Sequence, residues 1–192
     1  MPGTSGDRRW SASMPDAYEQ YLVPVVFRPF AEDLAARATA LHPGRVLELA
    51  AGTGALTSIL LTEAPSAEVT ATDLNEAMVA FGSARATGAA WRRADAQRLP
   101  FPDGGFDLAA AGFTVEDERE LTLEGRAAST ADLATGYLTG TPVRLAVEER
   151  GGGPTVRATV IEEMTARLGT GPAVAPMTAY VFRAASVPRR RI

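Results

Sequence analysis

The sequence predicts an α/β protein built on a doubly wound, mostly parallel sheet. Three observations point there: short β-rich runs alternate with helical stretches, a glycine turn follows the first run directly, and acids end the second and third runs. Such alternation implies βαβ crossovers, whose strands lie parallel.

Taken in order, residues 16–41 place Tyr18, Tyr21, Leu22, Val25, Val26, Phe30, Leu34 and Ala38 at helical spacings. Pro24 and Pro29 lack an amide donor and clash with the preceding turn, so the expectation is a short helix, a bend and a second helix ending near Leu41. His42-Pro43-Gly44 reads as a turn. Residues 45–50 form the first β-like run and 51–54, Ala-Gly-Thr-Gly, the turn after it. A helix over 55–63 is stopped by Pro65; the branched residues of 68–73 make a second strand. Residues 75–87 read as a helix closed by Gly88, 91–94 as a third strand, and 97–105 as a Pro/Gly loop. The later half offers a strand over 115–123, a helix over 129–140 capped by Ser129 or Thr130, and a helical piece over 141–150. After Gly151-Gly152-Gly153, Pro154 opens a helix to about Leu168, and 177–184 alternates as a final strand.

Composition bounds the function. The chain has 192 residues, 46% hydrophobic and 22% charged, which fits one globular domain. No apolar run approaches the ~18 residues that span a bilayer. With no cysteine there are no disulfides, thiolate chemistry or zinc cluster, and metal sites are not expected. Residues 1–13 are polar and lack the apolar stretch of a secretion signal, so the expected location is cytoplasmic. Net charge is −4 and the pI about 5.1, so no global field attracts a phosphate backbone, and nucleic acid is not an expected partner. Every basic residue is Arg, which reflects a GC-rich coding sequence more than a function; Arg189, Arg190 and Arg191 read as a solvated basic tail.

The chemistry lies in Glu48, Ala50, Gly52 and Gly54 around the turn, and in two acids further on. Small residues let a ligand approach backbone, and glycine reaches positive φ without a clash. Asp73 ends the second strand, where its carboxylate reaches the crevice at the strands' carboxyl ends and can accept from both hydroxyls of a ribose. Capping of the following helix is its alternative role. Asp95 and Ala96 end the third strand, where a carboxylate can take an adenine amino group and an amide can meet a ring nitrogen. Leu74 and Met78 offer apolar faces for the ring.

Residues 46–107 resemble the class I S-adenosylmethionine-dependent methyltransferases. The resemblance implies that the turn at Glu48, Ala50, Gly52 and Gly54 cradles the amino-acid part of S-adenosyl-L-methionine, that Asp73 binds ribose, and that Asp95 and Ala96 read adenine. Ala50 departs from the glycine most frequent there. The stretch 99–107, Leu-Pro-Phe-Pro-Asp-Gly-Gly-Phe-Asp, is similar to the loop entering the family's fourth strand. Residues 18–24 with 27–30 are similar to the lid helix of a bacterial subgroup acting on small molecules, with Tyr18 and Tyr21 on one face, either closing over the cofactor or packing on the core.

The resemblance implies a Rossmann-like fold organised as a lead-in over 1–13, one domain over 14–185 and a basic tail over 186–192. Within the domain, 14–44 form lid helices, 45–107 the cofactor-binding half and 108–185 a shortened C-terminal half. The shortening is the main departure: Asp107 to Val115 leaves no room for a strand, helix and further strand, since a crossover needs ~10–12 residues or more. Residues 107–113, Asp-Leu-Ala-Ala-Ala-Gly-Phe, resemble a later family segment, the end of a helix, and Ala109 to Ala111 favour helix with Gly112 closing it. The expectation is an internal deletion of strands four and five, leaving about five strands with a C-terminal antiparallel pair. The first strand's bare edge is then covered by the last strand, an exchanged element or a homodimer partner.

Methyl transfer from a sulfonium is an in-line displacement in which positioning does much of the work. No general base is named: His42, the only histidine, lies at the amino end of the sheet as a turn residue. The leading reading is a methyltransferase of small molecules, nearest in motif to the quinone-type C-methyltransferases. A cofactor-binding domain without turnover is the second. A nicotinamide dehydrogenase is disfavoured, because residues 52–57 lack the last glycine of GxGxxG and Asp95 has no obvious task.

Overall fold

The computed structural model describes residues 14–109, 114–141 and 143–185. The lead-in, the basic tail and the proposed Gly112 helix end lie outside those residues.

Four parallel strands form the sheet in the order β3-β2-β1-β4: β1 (Arg45–Leu49), β2 (Glu68–Asp73), β3 (Ala90–Arg93) and β4 (Leu108–Ala109). Val46, Leu47, Val69 and Ala71 are buried, as expected of parallel strands covered on both faces. Helix α1 (Met14–Ala17) leads into a π-helix (Tyr18–Phe27) and then α2 (Arg28–Thr39). On α2, Ala35 and Ala38 meet Val46, Leu60 and Val69 to form the main core, and the small alanines allow close approach to the sheet and to α3 (Ala55–Glu63). Helix α4 (Glu76–Arg85) follows β2.

The break expected at Pro24 and Pro29 is instead a change of winding. Pro24 lies inside the ten-residue π-helix, while Pro29 falls in the first turn of α2, where no amide donor is needed. The i to i+5 bonding of the π-helix replaces the i to i+4 ladder that Pro24 would interrupt.

The C-terminal pair is present as a separate two-stranded sheet, β5 (Thr114–Ala127) against β6 (Ala173–Ala185). Its antiparallel register runs from Thr114 opposite Ala185 to Ala127 opposite Ala173, with an irregularity between Val115 and Asp117. Between them lie α5 (Thr130–Thr139), α6 (Val143–Glu149) and α7 (Pro154–Leu168). Ser129 caps α5 by accepting from Asp132 N and donating to its Oδ2. Gly136 and Gly140 let α5 bed against the π-helix, since a Cβ on Gly136 would stand 2.8 Å from Tyr21 Cβ and one on Gly140 2.9 Å from Tyr18 N.

Around residue 108 the structure corrects two expectations. Ala109 is in a strand, not a helix, and the edge of β1 is not bare: Val46 and Leu47 pair in parallel with Leu108 and Ala109. A fourth parallel strand is thus present, described over Leu108 and Ala109. Asp107 secures it, accepting from Gly44 N and Arg45 N at 3.1 and 2.8 Å while its own amide donates to Arg45 O. These contacts outweigh the helix propensity of a short alanine run, which is worth only tenths of a kcal/mol per residue. Over Val46 and Leu47 the edge of β1 is thus covered by this chain's own β4.

Trp91 is the wedge between β3 and the helices. Its indole Nε1 donates to Ala86 O, and its ring fills the space beside Gly54 and Gly82. A Cβ on Gly82 would lie 2.1 Å from that ring. Gly82→Ala is therefore expected to cost about 1–3 kcal/mol by overpacking, despite the better helix propensity of alanine. Denaturant melts check this, and Trp91→Leu in the same background should recover part of the loss.

Candidate functional site

The turn after β1 is held open by backbone that few side chains tolerate. Ala50, Gly52 and Gly54 have φ of 53°, 57° and 88°. A Cβ on Gly54 would stand 3.1 Å from the Trp91 ring; one on Gly52 would meet only the Tyr18 ring edge and hydroxyl, at 3.8 and 3.9 Å. The turn is therefore bare backbone roofed by one aromatic side chain.

Asp73 closes the turn from β2. Its Oδ2 accepts from Gly52 N and its Oδ1 from Asn75 N, both at 2.9 Å. Helix α4 is capped by Asn75, whose Oδ1 takes Ala77 N and Met78 N. Asp73 does not serve as that cap, and each of its oxygens keeps acceptor capacity beyond one amide. Ala94 N donates to Asp73 O, which brings the end of β3 alongside, and Asp95 and Ala96 follow, both exposed. Asp95 Oδ1 accepts from Gln97 N. Leu74 is 46% exposed beside Asp73, an apolar side chain left in solvent at the rim.

Not every expected residue reaches this rim. Met78 is buried in the core at 4% exposure. Tyr21 packs its Cβ toward Gly136 of α5, whereas Tyr18 lies over Gly52 and stacks on Phe27 with ring centroids 4.9 Å apart. Burial pushes the Tyr18 phenol well above its ordinary pKa, with the charges of Asp73 and then Glu19 adding, so it is a neutral hydrogen-bonding group.

Glu48 lies beneath the turn, not on it. It is 7% exposed and accepts at 2.6 Å from the hydroxyl of Thr57, the residue standing where a dinucleotide fingerprint has its last glycine. Burial pushes Glu48 up to about 7, against the Thr57 hydrogen bond and with the Asp73 charge adding. Thr72 donates from its hydroxyl to Glu48 O at 2.9 Å, tying β2 to the same residue.

Sequence reasoning missed Glu19, Thr53, Thr57 and Arg85. Thr53, 2% exposed, donates to Glu19 Oε2 at 2.6 Å, and Arg85 pairs with Glu19 Oε1. Thr57 had a signal, since an acid on a buried strand needs a donor within reach of the next helical turn. Glu19 had none, because its contacts span 34 residues or more. Among the described residues no cluster of His, Cys, Asp or Glu is arranged to hold a metal, and no helix is long and apolar enough to cross a membrane.

A glycine turn, the Asp73 carboxylate and a third-strand acid stand at the carboxyl ends of parallel strands, the edge at which doubly wound sheets take nucleotide cofactors. Residues 46–126 match the methyltransferase domain family, so the likeness to methyltransferases is borne out over that segment. Among curated proteins, the demethylmenaquinone methyltransferase of Thermus thermophilus is 43% identical over 75 residues, 37% of this chain and 34% of that protein. The ubiquinone/menaquinone biosynthesis C-methyltransferase UbiE of Burkholderia mallei is 40% identical over 83 residues, 41% of this chain and 34% of that protein. The chain thus spans about a third of the length of these relatives. Among solved structures, a SAM-dependent methyltransferase from Geobacter sulfurreducens in complex with S-adenosyl-L-homocysteine is 12% identical, covering 89% of this chain and 97% of that one at a TM-score of 0.43, a likeness that carries no argument.

Two outcomes follow from the turn. From an ordinary pKa of 4.5 up to about 7, folded Glu48 keeps a proton that the unfolded chain has lost, so stability falls as pH rises through that window, by on the order of 3 kcal/mol. Melting temperature against pH should show this slope, and Glu48→Gln should remove most of it. Ala50→Gly relieves a left-handed alanine worth about 1–2 kcal/mol but adds unfolded-chain freedom of about 0.4–1 kcal/mol. A net gain of about half a kcal/mol is expected in chemical denaturation.

Proposed function

We propose that this chain binds S-adenosyl-L-methionine at the Gly52 rim and transfers its methyl group to a small organic acceptor. One observation carries the reading: Asp73 joins the bare turn to the end of β2 through two amides while retaining acceptor capacity on both oxygens. That arrangement suits a ribose beside a ligand lying along backbone. Gly52 and Gly54 would border the amino-acid part, Asp95 and Ala96 the adenine edge, and exposed Leu74 a ring face. Tyr21 and Met78 are left with structural roles by their packing. The cofactor supplies an electrophilic methyl on sulfur; the chain's own part is to hold the nucleoside, exclude water with Tyr18, and keep carboxylates near the positive charge.

The acceptor class is that of the quinone C-methyltransferases matched in the cofactor half: an electron-rich ring whose carbon attacks the methyl. The setting is that of a bacterial cytoplasmic enzyme, and a net charge of −4 favours a small molecule over nucleic acid.

A second reading, a cofactor-binding domain without turnover, is favoured by one feature. Ala109 is in β4 and Thr114 is already in β5, five positions later, which is too short a stretch for a helix and a fifth parallel strand. We attribute this to an internal deletion across the region that follows strand four, where an acceptor pocket would otherwise be shaped.

Calorimetric titration tests both. S-adenosylhomocysteine is expected to bind and NAD not to; Asp73→Asn should weaken binding tenfold or more, as loss of a charge-assisted hydrogen bond implies. Preference for NAD would sink the reading. Production of S-adenosylhomocysteine from the methyl donor with phenols, quinols or amines supports the enzyme, and tight binding without any production supports the second reading.

A further inference from the structure

We propose that Glu19 is a positioning residue for the glycine turn: it latches the π-helix onto Thr53 and Arg85 with Tyr18 over Gly52, and its release admits ligand to the turn. This rests on the rim being the cofactor site.

The latch joins three elements. Glu19 belongs to the π-helix, Thr53 to the turn and Arg85 to the last turn of α4. Glu19 receives the Thr53 hydroxyl on one oxygen and Arg85 on the other, with its side chain 15% exposed. Thr53 lies between the two positive-φ glycines, so holding its side chain also fixes the backbone beside Gly52 and Gly54. The guanidinium of Arg85 lies 5.8 Å from the Phe81 ring centroid, which limits where it can reach.

The neighbouring residue does the covering. Among the described residues, Tyr18 is the only side chain within 4 Å of a Cβ built on Gly52, so a ligand coming onto that backbone has to displace its ring. Helix winding sets the ring's place: nine positions make two and a half turns of an α-helix, which would put Tyr18 and Phe27 on opposite faces. The wider i to i+5 winding makes nine positions about two turns and permits the observed stack. The π-helix is bedded on α5 where Gly140 meets the Tyr18 backbone and Gly136 meets Tyr21 Cβ. The motion open to Tyr18 and Glu19 is therefore a rotation off the turn about that bedding, and the Glu19 contacts oppose it.

A latch and a merely structural contact differ in kinetics. Opening a latch raises association and dissociation rates together, whereas distorting the turn raises dissociation alone. The probe is S-adenosylhomocysteine, followed by stopped-flow fluorescence of Trp91 beside Gly54, with amide hydrogen exchange of residues 18–27 measured without ligand. In Glu19→Gln and Thr53→Val, exchange over 18–27 should quicken at least threefold, and both rate constants should rise by a similar factor. Thr53→Ser, which keeps the hydroxyl, should match the parent, and unchanged exchange in β1 and β2 shows that the variants are folded. Parent-like exchange in Glu19→Gln, a rise in dissociation alone, or Thr53→Ser behaving as Thr53→Val would overturn the proposal. If the parent protein fails to bind S-adenosylhomocysteine, the cofactor reading falls, while the exchange measurement still decides the latch.

Discussion

The Asp73 carboxylate is the constraint on which the rim depends. Three strand ends meet there: Gly52 N from the turn after β1 and Asn75 N after β2 donate to its oxygens, and Ala94 N at the end of β3 donates to its carbonyl. Ala51 N adds a bond to Thr72 O. A turn with three residues at positive φ has little intrinsic preference for one shape. Charge-assisted bonds from a partly buried carboxylate supply that preference, because they are shorter and stronger than neutral ones. The position that orders the turn is thus also the one proposed to meet a ligand's hydroxyls.

Around this point the electrostatics are uneven. Glu48 is buried beneath the turn with Thr57 as its donor, Glu19 approaches from above with Thr53 and Arg85, and Tyr18 feels the charges of both Asp73 and Glu19. Arg85 offsets Glu19, so the negative charge at the bend rests chiefly on Asp73, which disfavours an exposed phosphate there and tolerates a cation. Glu48 reduces the crowding by holding a proton near neutrality, so its burial is supportable in a way that a second full charge next to Asp73 would not be.

How legible this was in the sequence depended on how local the cause was. The strand at 68–73 and the helices at 55–63 and 154–168 match the structure at both ends, because branched residues, Pro65 and Pro154 act within a turn or two of chain. The rim residues Gly52, Gly54, Asp73 and Asp95 were legible because strand ends in a doubly wound sheet fall on one side whatever the details. Tyr18 and Tyr21 were not separable, since a 3.6-residue period places them on one face and only the π winding and the glycines of α5 send them to different neighbours. Ala109 was misread for a related reason: propensity favoured helix, but long-range bonds from Asp107 to Gly44 and Arg45 registered it against β1.

The brevity of β3, the strand at the other edge of the sheet, has an effect beyond its own pairing. An outermost strand ordinarily presents a row of free amides and carbonyls that invites foreign chains to extend the array, and natural proteins counter this by keeping such strands short. Four residues that carry Arg92 and Arg93 give an incoming chain little ladder to zip along and two like charges to bury, so that flank is self-terminating, and neither fibrillar growth nor strand exchange finds a template there.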